Sequence, residues 1–224
     1  MSNGFYKPGQ TPSAELDQVA NLLRPLPAAN IPTYAVLGNH DYDLHQSGTR
    51  RDDARAAQVR QTLEKLGIEV LQNETIELPM PDRPFPAAAS TAPRTTPPSP
   101  LYLVGIGAHR PQADNPALAL AMLPRSAPRV VMMHNPDTFE QLPANTAPLA
   151  VAGHTHGGQI RLPFTPDWSW LTFVMDDEVH ADGWIQQYGQ PGNRLYVNRG
   201  IGFSVVPIRI NCPPEITLFT LQRG

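Results

Sequence analysis

The sequence of 224 residues has little cysteine and no long apolar run. Its single cysteine, Cys212, excludes a disulfide framework and a cysteine-rich zinc site, and no basic residue stands beside it in NCPPE to activate the thiol. No stretch approaches the run of about 18 to 20 apolar residues that spans a bilayer. The first residues, MSNGFYKPGQ, also lack the basic and apolar regions of a signal peptide. We therefore expect a chain with no targeting or transmembrane segment, located in the cytoplasm or peripheral to a membrane.

Clustered basic charge is absent as well. The chain has 17 Lys and Arg residues against 20 Asp and Glu residues, which gives a formal net charge of -3. Proteins that bind the phosphate backbone of nucleic acids use clustered Lys and Arg, so the sequence carries no nucleic-acid-binding signature. Hydrophobic residues make up 41% of the chain, enough for one sizeable globular domain over residues 1–224.

Short apolar segments between prolines and glycines predict an α/β domain. Thr11 can cap a first helix, which Pro25 and Pro27 then end. Further helices are predicted over residues 51–66 and 115–123, with a short one that begins at Asn135 and Pro136. Apolar, β-prone runs predict strands over residues 33–37, 68–73, 74–78, 101–106, 129–134, 147–153, 193–200, 203–210 and 214–221.

Residues 79–100 differ in composition from the rest of the chain. Eight of these 22 residues are proline, and Ala, Ser and Thr supply much of the remainder. Proline cannot donate to a β-ladder, and such a segment has little apolar surface to bury. We interpret residues 79–100 as an exposed insertion or mobile loop, with a lid folded over a site as the alternative.

Three of the predicted strands end in polar side chains of similar type. The segments are YAVLGNHD, RVVMMHNPD and PLAVAGHTHGG, which contain Asn39, His40, His134, His154 and His156. In α/β sheets ligands bind beyond the carboxyl ends of the strands, so these side chains are expected at one edge of the sheet. Neutral imidazoles crowded together favour metal ligation, and the alternative is a polar turn whose histidines face water.

These segments also resemble a known family. GNHD, the single strand-end histidine of MMHNPD, and GHTHGGQ are similar to the last three of five motifs of the calcineurin-like metallophosphoesterases. The tail NRGIGFSVVPIRINCPPEITLFTL resembles the YaeI/YkuE-type phosphodiesterase branch, and the likeness covers nearly all of the chain except residues 79–100. It implies an α/β fold with two stacked mixed β-sheets flanked by helices.

The resemblance implies a site for two divalent metal ions, which mixed N and O ligands would suit as Mn, Fe or Zn. In such sites the ions lie about 3.5–4 Å apart, clamp phosphoryl oxygens and activate a bridging water. The resemblance assigns Asn39, His134 and His154 to one metal and His156 to the other.

Two neighbouring residues have expected roles next to the metals. The resemblance implies that His40 does not ligate a metal but contacts the phosphate and assists the leaving oxygen. Asp41 could orient the His40 imidazole from outside the ligand set, and the alternative for Asp41 is a loop residue that caps backbone amides.

Three further residues have weaker signals. Arg199, in NRGIG, could orient a substrate phosphate or belong to a structural turn, while His45 and His180 match no motif and are expected on the surface.

The sequence departs from the family pattern before GNHD. The first two family motifs, an Asp-x-His and a Gly-Asp, are expected upstream of Gly38, where the acidic residues are Glu15 and Asp17 of the first helix. These motifs would supply the carboxylate that bridges the metals and two further ligands to the metal of His156. We therefore predict a fold that is N-terminally incomplete, through a start assigned to an internal Met or a true truncation, with an open sheet edge.

The function expected from the residues and the resemblance is two-metal hydrolysis of a phosphodiester or related phosphoester. A small phosphoester or a phospholipid-like molecule is the expected substrate. The alternative is a non-catalytic protein that binds at most one metal ion through Asn39, His134 and His154.

Overall fold

A computed structural model of the protein describes residues 12–44, 50–79, 100–163, 169, 180–203 and 207–221. The helices are α1 (Pro12–Leu23), α2 (Pro25–Ala28), α3 (Asp53–Lys65) and α4 (Pro116–Leu120). Single 3-10 turns cover Asn39–Tyr42, Pro136–Gln141 and His156–Gly158. None of the helices in this part of the chain combines the length and apolar character that crossing a membrane requires.

In the part of the chain that the structure describes, eight strands form two sheets between these helices. The strands are β1 (Thr33–Ala35), β2 (Ile68–Val70), β3 (Glu74–Glu77), β4 (Tyr102–Gly105), β5 (Arg129–Met132), β6 (Ala150–Ala152), β7 (Gly183–Ile185) and β8 (Leu195–Val197). β1 and β2 make a parallel pair, and the other six make a mixed sheet in the order β3-β4-β5-β6-β8-β7. In the six-stranded sheet, β4, β5, β6 and β8 are parallel, while β3 and β7 pair antiparallel at its two edges. The predicted α/β fold, with two sheets flanked by helices, is confirmed.

The main core lies on the central parallel strands. Val104, Val131, Ala150 and Val197 are fully buried and stand on four adjacent strands of the large sheet. Strands that are buried on both faces need apolar side chains at nearly every position, which the runs YLVG and RVVM supply at all but their ends. This rigid block fixes where the loops after β5, β6 and β8 begin.

A second core anchors the first site loop. Tyr42, at the end of the GNHD turn, is buried against Val59 of α3 and Val70 of β2. α3 begins at Asp53, two residues after the predicted start at residue 51, and the Asp52 carboxylate caps it by accepting a hydrogen bond from the Arg55 backbone N–H at 2.9 Å. The packing of Tyr42 therefore holds the preceding residues Gly38–Asp41 in place.

The C-terminal strand prediction is wrong. Residues 214–221 form no strand, although their side chains still alternate, with Ile216 and Leu218 89% and 90% exposed and Phe219 packed edge-on against Tyr196 at 5.3 Å. A strand needs a neighbour to complete its hydrogen-bond ladder, and an alternating pattern alone does not supply one. In the described part of residues 203–210, only Ile210 makes a bridge, with Ile160.

Three local predictions also need correction. Pro25 does not simply end the first helix but begins the short helix α2. Asn135 precedes the turn Pro136–Gln141 as predicted, yet its side chain makes no capping hydrogen bond and is fully buried. The strand β7 was not predicted, because its three residues GWI are too few to show a period.

The proline-rich insertion lies outside the described residues apart from its ends, Pro79 and Pro100. Its two ends are neighbours, since Glu77 of β3 stands opposite Tyr102 of β4 and the Leu78 N–H donates to the Leu101 carbonyl at 2.8 Å. The insertion therefore closes an antiparallel hairpin.

We expect that replacing residues 80–99 by a short Gly-containing turn leaves the fold intact. In the hairpin register the two ends of the replaced segment are neighbours, and shortening a long loop lowers the entropy cost of closing it. Thermal unfolding followed by circular dichroism should give a melting temperature equal to or above that of the parent chain. A melting temperature more than about 3 °C lower, near 1 kcal/mol for a domain of this size, would show that the segment packs on the domain.

Candidate metal centre

The parallel pair β5 and β6 brings two histidines together. His134 and His154 each stand two residues beyond the end of their strand, and the register pairs Met132 with Val151. The Gly153 N–H donates to the His134 carbonyl at 3.1 Å, which continues the ladder past the strands. The two loops therefore leave the sheet side by side at its carboxyl edge.

Three ligand-type atoms converge at this edge. His134 Nε2 lies 2.9 Å from Asn39 Oδ1 and 3.0 Å from His154 Nδ1, and the two imidazole rings meet edge-on at 4.8 Å between centroids. Asn39 arrives from the turn after β1, so the cluster joins three separate loops. The structure thus brings together the three residues that the resemblance assigns to one metal.

Contacts behind the cluster fix how Asn39 and His134 face each other. The Asn39 side chain is 7% exposed, and its Nδ2 donates to the Leu44 carbonyl at 3.0 Å, which turns Oδ1 toward His134. A Cβ atom on Gly38 would lie 2.5–2.7 Å from the atoms of the His134 ring. Glycine at position 38 is therefore required for the imidazole to occupy this place.

Burial keeps the site histidines neutral. Desolvation holds the pKa of His134 well below its ordinary value of 6.5, with the neighbouring His154 adding to the effect. Desolvation lowers the pKa of His154 to about 4, a shift that Asp137 partly opposes. The pKa of His156 falls to about 4, again mainly through desolvation and then through Arg209. Near neutral pH all three imidazoles are in the uncharged form that binds metal.

The two-histidine loop has an unusual backbone. His154 and His156 adopt left-handed φ angles of 71° and 54°, and Gly157 and Gly158 follow with 63° and 71°. A left-handed conformation at a residue other than glycine costs about 1–3 kcal/mol and persists only where its surroundings enforce it. A Cβ on Gly157 would lie 2.4 Å from Arg199 Cγ, so that glycine also makes room for an arginine stem.

Arg209 is one residue that enforces this backbone, and the sequence reading missed it. Its guanidinium donates to the carbonyls of His156 at 3.1 Å and Arg199 at 2.8 Å, and to those of Gly200 and Gly202. It therefore ties the two-histidine loop to the loop after β8. The available signal was a charged residue inside the apolar run PIRIN. Cys212 is buried, as its predicted inert role requires, and its Sγ contacts the carbonyls of His156 at 3.4 Å and Gly157 at 3.3 Å.

A cavity of about 400 Å³ opens beside the cluster. Its lining side chains comprise a polar set, the polar wall, and an apolar set, the apolar wall. The polar wall consists of His40, His134, His154, His156, Asn198 and Arg199, and the apolar wall of Val19, Leu22, Leu23 and Ile201. His40 and His156 thus share one cavity with the three clustered residues, and their assigned roles stay predictions.

The remaining sequence candidates lie in different settings. The Asp41 carboxylate accepts the Gly38 N–H at 2.8 Å, which is the backbone-capping alternative, and its action on His40 stays a prediction. His109 binds Asp114 at 2.8 Å and does not line the cavity. His180 is half-buried and packs against Tyr188 with ring centroids 3.7 Å apart. His45 lies outside the described residues.

The donor set fits one divalent ion better than two. Ligands at 2.0–2.1 Å from a tetrahedral metal stand about 3.3 Å apart, close to the 2.9–3.0 Å separations in the cluster of Asn39, His134 and His154. No group of three or more His, Cys, Asp or Glu side chains is placed to hold a metal among the residues that the structure describes. The described residues thus offer one half-site of an amide and two imidazoles, with His156 in the same cavity.

Comparison with known proteins finds similar sequences that are named phosphodiesterase, metallophosphoesterase and pyrophosphatase. Over 211 residues, 93% of this chain, the sequence is 31% identical to the phosphodiesterase YaeI of Escherichia coli (strain K12). It is 36% identical over 98 residues to the metallophosphoesterase YkuE of Bacillus subtilis (strain 168), which is 42% of this chain and 30% of YkuE. It is also 27% identical over 85% of its length to the UDP-2,3-diacylglucosamine pyrophosphatase LpxG of Chlamydia muridarum (strain MoPn / Nigg).

The matched regions cover 65% of YaeI and 64% of LpxG, so the chain spans slightly less than two thirds of these relatives. No family model matches the chain. No solved structure matches it either.

We expect His154→Ala to weaken the affinity for Mn²⁺ by at least about tenfold, because it removes a donor of the cluster. Elemental analysis of dialysed protein and Mn²⁺ titration followed by electron paramagnetic resonance measure this. The matched control is His109→Ala, a partly buried histidine outside the cavity. Equal metal loss in both variants would contradict the ligand assignment.

Acid should destabilise the metal-free protein. The folded state holds the pKa values of His154 and His156 at about 4, below the ordinary 6.5, so the unfolded chain binds more protons between these values. Stability is then fully present above about pH 6.5 and falls as the pH drops toward 4. Urea unfolding in EDTA at pH 7.5, 5.5 and 4.5 should show decreasing midpoints. Replacing His154 by Gln should reduce this slope, whereas a slope unchanged by the substitution would refute its cause.

Proposed function

We propose that this chain, which belongs to the calcineurin-like metallophosphoesterase superfamily in the branch of YaeI and YkuE, hydrolyses phosphoester bonds with divalent metal ions. The observation that carries the proposal is the convergence of Asn39, His134 and His154 on a cavity that His40 and His156 also line. Relatives named phosphodiesterase, metallophosphoesterase and pyrophosphatase support a phosphoester as the class of substrate.

Asn39, His134 and His154 would hold the first metal ion through an amide oxygen and two neutral imidazole nitrogens. His156, on the polar wall of the cavity, would contribute to a second ion of a dinuclear site. When bound, such ions polarise phosphoryl oxygens and lower the pKa of water. Mn²⁺ is the ion that we propose, since imidazole and amide oxygen ligands without thiolate suit it.

His40 would act on the phosphoester itself. It stands next to the ligand Asn39 in the same 3-10 turn and lines the cavity rather than the cluster. A histidine at this point can donate a hydrogen bond or a proton to the leaving oxygen as the P–O bond breaks. Asp41 fixes the turn that carries His40 by accepting the Gly38 N–H.

The apolar wall favours a substrate with a nonpolar part next to its phosphate. Val19, Leu22 and Leu23 of α1 and Ile201 line the same cavity as the polar wall. A phospholipid-like phosphoester would place its charged group among the histidines and its acyl portion against these residues. LpxG, whose name specifies a diacylated sugar nucleotide, offers a parallel. Such a substrate also agrees with a location peripheral to a membrane.

A second candidate is a non-catalytic protein that binds one metal ion. The observation in its favour is that no carboxylate joins the histidines in a ligand group within the described part of the chain. Two-metal hydrolysis needs both ions beside the attacking water, and His156 alone is a weak ligand set. We therefore expect this 224-residue chain to be a slow hydrolase at most.

We expect slow Mn²⁺-dependent hydrolysis of bis(p-nitrophenyl) phosphate, followed by absorbance. His40→Ala should lower kcat by about 100-fold or more, because it removes an acid at the leaving oxygen without touching the cluster. Its Mn²⁺ content should stay at the level of the parent chain, and His109→Ala should change neither quantity. Parent-level hydrolysis by metal-loaded His40→Ala would contradict the role of His40. Metal binding with no hydrolysis above buffer would favour the non-catalytic candidate.

A further inference from the structure

Three arginines surround the two-histidine loop, and they have different surroundings. Arg161 is buried, with Nε donating to the Gly157 carbonyl at 2.7 Å and Nη2 2.6 Å from Asp182. The Arg209 guanidinium donates its hydrogen bonds to backbone carbonyls. Arg199 is the arginine that lines the cavity among the residues that the structure describes, and its side chain is 27% exposed.

Arg199 is held in place through one side of its guanidinium. Its Nε donates to Glu215 Oε2 at 2.8 Å and lies 3.7 Å from Asp182 Oδ2. Its stem packs on the backbone of Gly157, within the two-histidine loop. Within the described part of the chain, the contacts of Arg199 with both carboxylates are made through Nε, and Arg199 lines the cavity beside the histidines.

Glu215 is a fixed anchor for this arrangement. Its other oxygen, Oε1, accepts hydrogen bonds from the Thr217 hydroxyl at 2.6 Å and from the Tyr196 hydroxyl. Burial alone would raise the pKa of Glu215, but hydrogen bonds from Thr217, Tyr196 and Arg199 outweigh it and hold the pKa at about 2. The carboxylate therefore stays charged at any working pH, and the guanidinium is oriented before a ligand arrives.

We infer that Arg199 binds the anionic oxygens of the substrate phosphate through its terminal amino groups, in the cavity that it lines together with the site histidines. A guanidinium offers parallel N–H donors that match two oxygens of a phosphate, and it is always protonated. Holding it through Nε removes rotamer freedom that a mobile arginine would lose on binding. The inference rests on the proposed function, since it assigns the phosphate of that substrate to a protein cation beside the metal ligands.

Inorganic phosphate binding to the metal-free protein tests this inference separately from hydrolysis. Titration calorimetry or ³¹P NMR at low ionic strength gives the dissociation constant. Arg199→Gln should weaken phosphate binding by about tenfold or more, the loss expected for a hydrogen bond to a charged group. Arg199→Lys, which keeps the charge but not the parallel donors, should fall between Arg199→Gln and the parent chain.

Arg194→Gln is the matched control, because it also removes one positive charge while Arg194 lies over the Trp184 ring at 4.6 Å and does not line the cavity. Equal affinity in Arg199→Gln and the parent chain, or an equal loss in Arg194→Gln, would overturn the inference. If Arg199 had only a structural role, Arg199→Gln and Arg199→Lys would both lower the melting temperature and leave the phosphate affinity unchanged. Failure of the proposed function would instead appear as absent metal binding or hydrolysis in the parent chain.

If a variant does not fold, a measurement on the parent chain still tests the inference. In protein labelled with ¹⁵N-arginine, added phosphate should shift the side-chain signals of Arg199 and leave those of Arg209 in place. No shift at Arg199 up to tens of millimolar phosphate would also overturn the inference.

Discussion

The parallel alignment of β5, β6 and β8 is the constraint on which the site depends. Parallel strands end at the same edge, so the loops that follow them start as neighbours whatever their sequences. The backbone bond from Gly153 to the His134 carbonyl extends this alignment beyond the strands. A slip of one residue between β5 and β6 would turn His134 and His154 to opposite faces and separate their ring nitrogens.

Burial and backbone strain then combine in the same loop. Desolvation lowers the pKa of His154 and His156, so both are neutral near pH 7. Both residues also have left-handed φ angles within a short stretch of chain. Each feature is unfavourable alone, because a buried imidazole loses solvation and a left-handed histidine is strained. The Arg209 guanidinium offsets part of this cost by donating hydrogen bonds to the His156 and Arg199 carbonyls.

The sequence predicted those parts of the fold whose causes are local. The runs around Val104 and Val131 are strands because they are apolar and bounded by breakers, and Asp52 caps α3 through its own side chain. The placement of Asn39 next to His134 followed from topology plus a family resemblance. It could not have come from periodicity.

Non-local contacts account for what was missed. Residues 214–221 alternate like a strand, but pairing depends on a neighbour that the pattern does not specify. Arg209 donates to carbonyls of two loops that are distant in sequence, and a charge inside the apolar run PIRIN marks an unusual position without specifying these partners. The unsatisfied capping position of Asn135 likewise follows from its complete burial beneath the sheet edge, which only the packed structure defines.

The contact between Gly157 and the Arg199 stem links two positions in different loops. A side chain at 157 would push the guanidinium away from Glu215, so a variant at either position changes what the other can tolerate. Substitutions at these sites should be non-additive, and evolutionary change in one loop should be constrained by the residue present in the other. Among homologous sequences, the two positions are therefore expected to vary as a pair.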